Sequence, residues 1–206
     1  MQNESLAHVP HNYIEYFNMF VSFVVALLSS LCLVQALDRD IRTYEVMLPM
    51  SDGVKLHTRV ALPRNYAGKK FVTVMDRSPY GEDALELMAD LFLPFGFVTV
   101  TQDMRGAAQS EGNFTLWHAD ADDSFETGTW ITEQEWSNGD VYTFGASADG
   151  LAAFCTAYNS PSWLKAQYFI WASSVGYEVI YPNGAYLKDL GDIWITSTVP
   201  GTYFTQ

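Results

Sequence analysis

The stretch "DVYTFGASADG", residues 140–150, places one serine between two glycines directly after an apolar run. Val141 to Phe144 are β-branched or aromatic, which is typical of a buried strand. The following "ADGLAAFCTAY" has the small and apolar residues of a helix. A strand–turn–helix junction of this kind exposes a serine hydroxyl on a sharp bend, and the bend requires small neighbours. The alternative is an ordinary glycine-flanked turn, which this stretch alone does not exclude.

The surrounding sequence predicts alternating strands and helices. The predicted strands are 43–50, 54–63, 71–76, 97–103 and 164–172, and the predicted helices are 82–92 and 118–136. The first two strands are joined by Ser51-Asp52-Gly53, a hairpin turn signal. Strands that alternate with helices pair in parallel, so we expect an α/β fold with an antiparallel start. After about residue 174 the alternation stops, and residues 175–206 read as the aromatic, helical start of a cap insertion.

Three loops follow predicted strands, at the edge of the sheet where α/β proteins place their active sites. They are "DRSPYG" (76–81), "QDMRGAAQSEGNF" (102–114) and "GASADG" (145–150). None carries a GxGxxG or Walker lysine, so no nucleotide site is predicted.

These loops resemble those of the CocE/NonD hydrolases, relatives of the Xaa-Pro dipeptidyl-peptidases and α-amino-acid ester hydrolases. Five ordered motifs carry the resemblance: "DGVKL" (52–56), "RSPYG" (77–81), "QDMRG" (102–106) with "SEG" (110–112), "WSNG" (136–139) and "GASADG". The resemblance implies that residues 37–174 form the N-terminal part of an α/β-hydrolase domain. It also implies cleavage of acyl ester, amide or short peptide substrates through an acyl-enzyme, with no cofactor or metal.

The resemblance assigns three residues to the chemistry. Ser147 would be the acylated nucleophile, the backbone N–H of Ala148 one oxyanion donor, and the hydroxyl of Tyr80 the other. A tetrahedral oxyanion needs such preorganised donors about 3 Å away. Related elbows usually carry a tyrosine after the serine. Ala148 departs from that pattern but keeps its backbone donor.

The sequence lacks a general base in the expected order. An α/β-hydrolase runs serine, then acid, then histidine along the chain, but no histidine occurs among the 59 residues after Ser147. The four histidines all precede it: His8, His11, His57 and His118. We expect His57 to occupy a strand face and His118 to cap a helix or face solvent. We therefore expect an incomplete α/β-hydrolase fold, either a fragment or a degenerate copy, with little or no hydrolytic activity. The alternative is a non-catalytic α/β-hydrolase-like binding or interaction protein.

Composition excludes several other functions. The net charge is −13 and no Lys/Arg cluster occurs in the chain, so nucleic acid is not an expected partner. The two cysteines, Cys32 and Cys155, form neither a disulfide framework nor a metal-binding spacing, and Cys155 is expected to be buried. Asp120, Asp122 and Ser124 have calcium-loop spacing, but an isoleucine stands where the bidentate glutamate belongs. No metal site is predicted.

The N-terminal segment, residues 1–36, contains the uncharged apolar run "MFVSFVVALLSSLCLVQA" (19–36). Small residues at its last and third-last positions match a signal-peptidase site, so we favour a cleaved signal and a secreted protein. The alternative is an uncleaved membrane anchor. In that case Arg39 and Arg42, which follow the apolar run, would bias its carboxyl-terminal end toward the cytoplasm. In a secreted chain Asn113 would be a candidate glycosylation site, because it begins an Asn-Phe-Thr sequon.

Overall fold

The computed structural model describes residues 41–63, 66–81 and 83–194. The predicted signal or anchor segment lies outside the described residues, as do residues 195–206. Within the described part of the chain, no helix is both long and apolar enough to cross a membrane.

The described residues form a mixed sheet of six strands with helices on both faces. The strands are β1 (Ile41–Pro49), β2 (Lys55–Pro63), β3 (Phe71–Ser78), β4 (Val98–Asp103), β5 (Ser137–Ala146) and β6 (Leu164–Ile170). The helices are α1 (Asp83–Phe92), α2 (Asp120–Thr132), α3 (Ala148–Cys155), α4 (Gly176–Ile180) and α5 (Lys188–Ile193), with 3₁₀ turns at Leu93–Phe95 and Pro182–Gly184. The predicted α/β class is confirmed.

The sheet order is β1-β2-β4-β3-β5-β6. Strand β2 pairs antiparallel with β1 and β4, whereas β4, β3, β5 and β6 run parallel to one another. The turn between β1 and β2 is closed by Asp52, whose carboxylate accepts the Val54 N–H at 3.0 Å. Gly53 adopts φ +89° there, a conformation that a side chain would strain. The antiparallel start and the parallel remainder are therefore as predicted.

The core lies on both faces of the sheet. On one face Val60, Met75 and Val141 pack with Ile131 of α2. On the other, the Phe92 ring of α1 contacts Phe144 of β5, with the ring centroids 5.3 Å apart. Because neighbouring strand residues point to opposite faces, the apolar runs of the central strands supply both layers at once.

Two helical predictions differ from the structure. The helix predicted over 118–136 begins at Asp120 and ends at Thr132. The helical pattern after Val175 is divided into α4 and α5, since Pro182-Asn183-Gly184 forms a 3₁₀ turn in which Asn183 has φ +53°. Proline and glycine interrupt a helix there although the apolar spacing continues.

Gly128 of α2 tests the packing of the helix on the sheet. A Cβ at Gly128 would lie 2.2 Å from the Trp163 ring, which is buried in the core. We expect Gly128→Ala to lower the free energy of unfolding by about 1–3 kcal/mol through overpacking. The gain of about 1 kcal/mol in helix propensity opposes this loss. Urea unfolding measures the change.

The matched control is Gly176→Ala at the start of α4, where nothing beyond the neighbouring residues and the helix's own backbone lies within 4 Å of the added methyl group. Its stability should equal or slightly exceed that of the wild type. A Gly128→Ala protein as stable as the wild type would contradict the packing of Trp163 against α2.

Candidate active site

Ser147 lies between the end of β5 and the start of α3. Its backbone has φ +56° and ψ −118°, a strained conformation for a residue with a side chain. Its N–H donates to the carbonyl of Ile170 at 2.8 Å, which fixes the bend against β6. The residue is exposed, so the hydroxyl is presented to solvent at the carboxyl edge of the sheet.

The two glycines around Ser147 are required by packing. A Cβ at Gly145 would lie 2.4 Å from the carbonyl oxygen of Asp149, and one at Gly150 would lie 2.7 Å from the Cβ of Ala172. A Cβ essentially never makes non-bonded contacts this short, so any larger residue would open the bend. The segment therefore forms a strained, tightly packed strand-to-helix bend, which is the backbone geometry that a nucleophile elbow requires.

The structure links the two predicted oxyanion donors through a pair of tryptophans. Ala148 stands in the first turn of α3, where an N–H has no partner within the helix. Its carbonyl accepts the indole N–H of Trp117 at 3.0 Å. The Tyr80 oxygen accepts the indole N–H of Trp194 at 3.0 Å, and the two indoles stack with centroids 5.7 Å apart. Because the Tyr80 oxygen accepts from Trp194, its own O–H proton remains available for donation.

A second link runs beneath the elbow. The backbone N–H of Tyr80 donates to the Ser78 hydroxyl oxygen at 3.1 Å. The Ser78 hydroxyl also lies close enough to the Asp149 carboxyl group, in the first turn of α3, to lower its pKa. The loop that carries Tyr80 and the helix that follows Ser147 are thus joined by one buried serine.

Asp149 faces a second carboxyl group, Asp76 of β3. Burial raises the pKa of Asp149 to about 7, against the lowering effect of its Ser78 hydrogen bond. The pKa of Asp76 is raised well above its usual range, first by burial and second by the Asp149 charge. One oxygen of each carboxyl group has no hydrogen-bond partner among the described residues. Burial and the negative charge of a neighbouring carboxylate both favour the protonated form of a carboxyl group.

This pair predicts that stability falls as the pH rises. A carboxyl with a raised pKa stabilises the folded state below its unfolded pKa, and the stabilisation is lost as the pH passes the folded value. For Asp149 the window runs from about pH 4 to about 7. Asp149→Asn should therefore gain stability relative to the wild type between pH 4 and 8. We expect a gain of roughly 1–4 kcal/mol, at about 1.4 kcal/mol per pKa unit.

Asp52 supplies a control of opposite sign. The Arg105 hydrogen bond lowers the pKa of Asp52, so its contribution is present at neutral pH and lost on acidification. Because that contribution is fully present above about pH 4, urea unfolding of Asp52→Asn should show a constant loss of stability from pH 4 to 8, without the pH trend of Asp149→Asn. An Asp149→Asn protein whose stability tracks the wild type from pH 4 to 8 would contradict the buried pair.

The arginine and glutamine of the loop motifs are structural. Arg77 is buried and forms an ion pair with Asp120, and its Nε donates to Gln102 Oε1 at 2.7 Å. The Gln102 amide donates to the Thr58 hydroxyl at 2.9 Å. These contacts tie β2, β3, β4 and α2 together below the loops.

Asp103 and Arg105 play similar parts. Asp103 is fully buried and accepts from Arg59 at 2.8 Å. Arg105 binds Asp123 at 2.6 Å and Asp52 at 2.7 Å. Asp52, Arg105 and Asp123 also border a depression of about 530 Å³, but these side chains are already paired with one another.

A pocket of about 770 Å³ opens at Ser147. Ser147, Ala148 and Leu151 line it on the elbow side. Helix α4 contributes Gly176, Tyr177, Val179 and Ile180, and α5 contributes Leu190. Trp117 and Trp194 also line it, so the pocket reaches the residues that hold both predicted donors.

The structure places two histidines in different settings. His57 is buried on β2, as expected for a strand face. Its Nδ1 lies 3.0 Å from Asp103 and its Nε2 3.2 Å from Glu45, so both ring nitrogens are engaged. His118 is exposed, as predicted, and it lines the same pocket as Ser147. That proximity was not predicted from the sequence.

Sequence reasoning also missed the roles of Asp76, Trp117 and Trp194. The aromatic content of residues 175–194 was the available signal for the pocket wall. Asn113 is exposed, and glycosylation there stays a prediction. Cys155 is only partly buried, contrary to expectation, because it lies near the end of the short helix α3; burial still raises its thiol pKa to about 11.

Comparison with known proteins supports the resemblance. The profile of the X-Pro dipeptidyl-peptidase (S15) family matches residues 52–204. The chain is 36% identical over 127 residues to the cocaine esterase of Rhodococcus sp. (strain MB1 Bresler), covering 59% of this chain and 22% of the esterase.

Solved structures also support the resemblance to hydrolases of this kind. An α-amino acid ester hydrolase matches with a TM-score of 0.57 at 30% identity, over 63% of this chain and 25% of the hydrolase. An aminopeptidase from a marine sediment Thaumarchaeota archaeon matches with a TM-score of 0.56 at 27% identity, over 62% and 25%. A CocE/NonD family hydrolase from Staphylococcus aureus shares the fold, with a TM-score of 0.52. The chain spans about a quarter of the length of the cocaine esterase and of these first two structures.

Proposed function

The chain belongs to the X-Pro dipeptidyl-peptidase (S15) family, and from that premise we propose that it carries the nucleophile and oxyanion site of a serine hydrolase. The family and its relatives are hydrolases, including the cocaine esterase and the α-amino acid ester hydrolase. The observation that supports the proposal best is the strained, exposed Ser147 at the mouth of a pocket.

In this proposal the Ser147 hydroxyl oxygen attacks the carbonyl carbon of an ester or amide. The carbonyl oxygen becomes an oxyanion that accepts hydrogen bonds from the Ala148 N–H and the Tyr80 hydroxyl. Collapse of the tetrahedral intermediate expels the alcohol or amine with a proton and leaves the acyl group on Ser147. Water then attacks the acyl-enzyme, releasing the acid and restoring the serine.

Among the described residues, no hydrogen bond joins the Ser147 hydroxyl to a base that could accept its proton. His57 cannot supply one, because both of its ring nitrogens are engaged with acidic side chains on the β1–β2–β4 side of the sheet. A serine hydroxyl without a base is a weak nucleophile near neutral pH. We therefore propose that this chain by itself turns over substrate slowly.

Non-catalytic binding is the second candidate function. It is favoured by the same engagement of His57 together with a pocket that is already formed. In that case the pocket would retain ligand without cleaving it.

Labelling with a fluorophosphonate probe tests the first proposal. We expect slow labelling confined to Ser147, identified by peptide mass spectrometry. Removal of one oxyanion donor in Tyr80→Phe should slow the labelling by about 100-fold. Ser147→Ala is the control for site identity, and His118→Gln tests whether the pocket histidine contributes.

The outcomes separate the alternatives. Labelling at another serine, or none at Ser147, would contradict the nucleophile assignment. Rapid labelling at neutral pH would contradict the absence of a base, and its loss in His118→Gln would identify His118 as that base. Unchanged labelling in Tyr80→Phe would remove Tyr80 from the oxyanion site.

We also propose that the protein enters the secretory pathway. The apolar run at 19–36, followed at once by polar residues, supports a signal cleaved after Ala36. Expression of the full chain in a secreting host, followed by N-terminal sequencing, should give a start at Leu37. An intact Met1 on a membrane-bound product would favour the anchor instead.

A further inference from the structure

The pocket beside Ser147 has a largely apolar lining. Aromatic and aliphatic side chains dominate it, and its polar groups are Ser147, His118 and tyrosine hydroxyls. Among the described lining residues there is no aspartate, glutamate, lysine or arginine. The lining therefore differs from the chain as a whole, whose net charge is −13.

One wall of the pocket is held in place by hydrogen bonds and ring stacking. The Trp117 indole is bonded to Ala148 and stacks on Trp194, which is bonded to Tyr80. Two rigid rings thus form a surface that starts at the elbow. Such a surface is already ordered before a ligand arrives, which lowers the entropy lost on binding.

The facing wall is also aromatic. Tyr177 of α4 stacks on Tyr181 with centroids 4.9 Å apart, and Tyr181 contacts Tyr186 at 5.2 Å. The Tyr186 hydroxyl donates to Asp192 at 2.5 Å, so the polar end of this ring is already satisfied. The volume of about 770 Å³ lies within the range of pockets that enclose small organic ligands.

We propose that this pocket binds the acyl group of the substrate and selects uncharged aromatic or bulky aliphatic groups over groups that carry an ammonium. The identification of the bound group as the acyl group rests on the proposed function, but the ligand class rests on the pocket lining alone. An ammonium would lose its hydration and meet no carboxylate among the described lining residues, and contact with aromatic faces returns less than that loss. The nearby Asp192 carboxylate is already bonded to the Tyr186 hydroxyl and to Lys188. An aryl or alkyl group instead gains from leaving water.

Two leucines near α5 provide a matched pair for testing this. Leu190 lines the pocket and is 41% exposed. Leu187, just before the helix, is 45% exposed and is not among the lining residues. A charged side chain at either position would be exposed to solvent to a similar degree, but only the one at position 190 would line the pocket.

The experiment measures binding to the full chain carrying Ser147→Ala, so that no cleavage occurs. The probes are methyl 3-phenylpropanoate and phenylalanine methyl ester at pH 6, which differ only by a protonated amine. The indole N–H signals of Trp117 and Trp194, assigned from Trp→Phe variants, report occupancy by NMR. We expect the neutral ester to bind at least about tenfold more tightly than the cationic one.

Charge variants sharpen the result. Leu190→Glu should weaken the neutral ester and tighten the cationic one, whereas Leu190→Lys should weaken both. Leu187→Glu should leave both affinities unchanged. Equal or tighter binding of the cationic ester to the Ser147→Ala chain would overturn the proposal, as would binding that leaves both indole signals unmoved. A Leu187→Glu response equal to that of Leu190→Glu would also overturn it, because the effect would then be that of net charge.

The test is independent of the nucleophile. If Ser147 fails to react with fluorophosphonate while the neutral ester still binds at the indoles, the hydrolase proposal fails and the ligand class stands. If Ser147 reacts but the neutral ester shows no advantage, the ligand class fails alone.

Discussion

Between Gly145 and Asp149 the backbone passes so close to itself that a single methyl group would lie 2.4 Å from a carbonyl oxygen. This closeness forces Ser147 into its strained conformation and turns its side chain outward. It also places the first N–H groups of α3 beside the serine, where they have no helical partners. The exposed hydroxyl and the predicted oxyanion donor beside it both follow from one bend that only glycine permits at both ends.

The motifs that carry the family resemblance contribute support more than chemistry. Arg77, Gln102 and Asp103 are buried, and their partners lie on β2, β3, β4 and α2. A buried ion pair adds little net stability, but removal of one partner leaves an uncompensated charge. These residues therefore fix the relative positions of the three loops at the carboxyl edge of the sheet.

Much of this architecture could be predicted from the sequence, because its signals are local. The strands follow from β-branched runs, and the position of Ser147 follows from a strand, two glycines and a helix in succession. The contact between Trp194 and Tyr80 joins residues 114 positions apart and has no local signal. The same holds for Asp76 and Asp149, which read as ordinary acidic residues until the fold buries them together. The break between α4 and α5 was visible as Pro182-Asn183-Gly184, but the aromatic spacing across it favoured one helical segment.

The buried arginines have a consequence for the electric field around the molecule. Arg59 and Arg77 are neutralised inside by Asp103 and Asp120, which leaves nine basic residues against 22 acidic ones outside these two pairs. Two of the few basic residues are thus paired in the interior, and the remaining residues carry a large excess of negative charge. A carboxylate released at the edge of the sheet would be pushed away from such a surface. Added salt shortens the reach of this repulsion to about 8 Å at physiological ionic strength, so retention of an anionic product should increase as salt is raised.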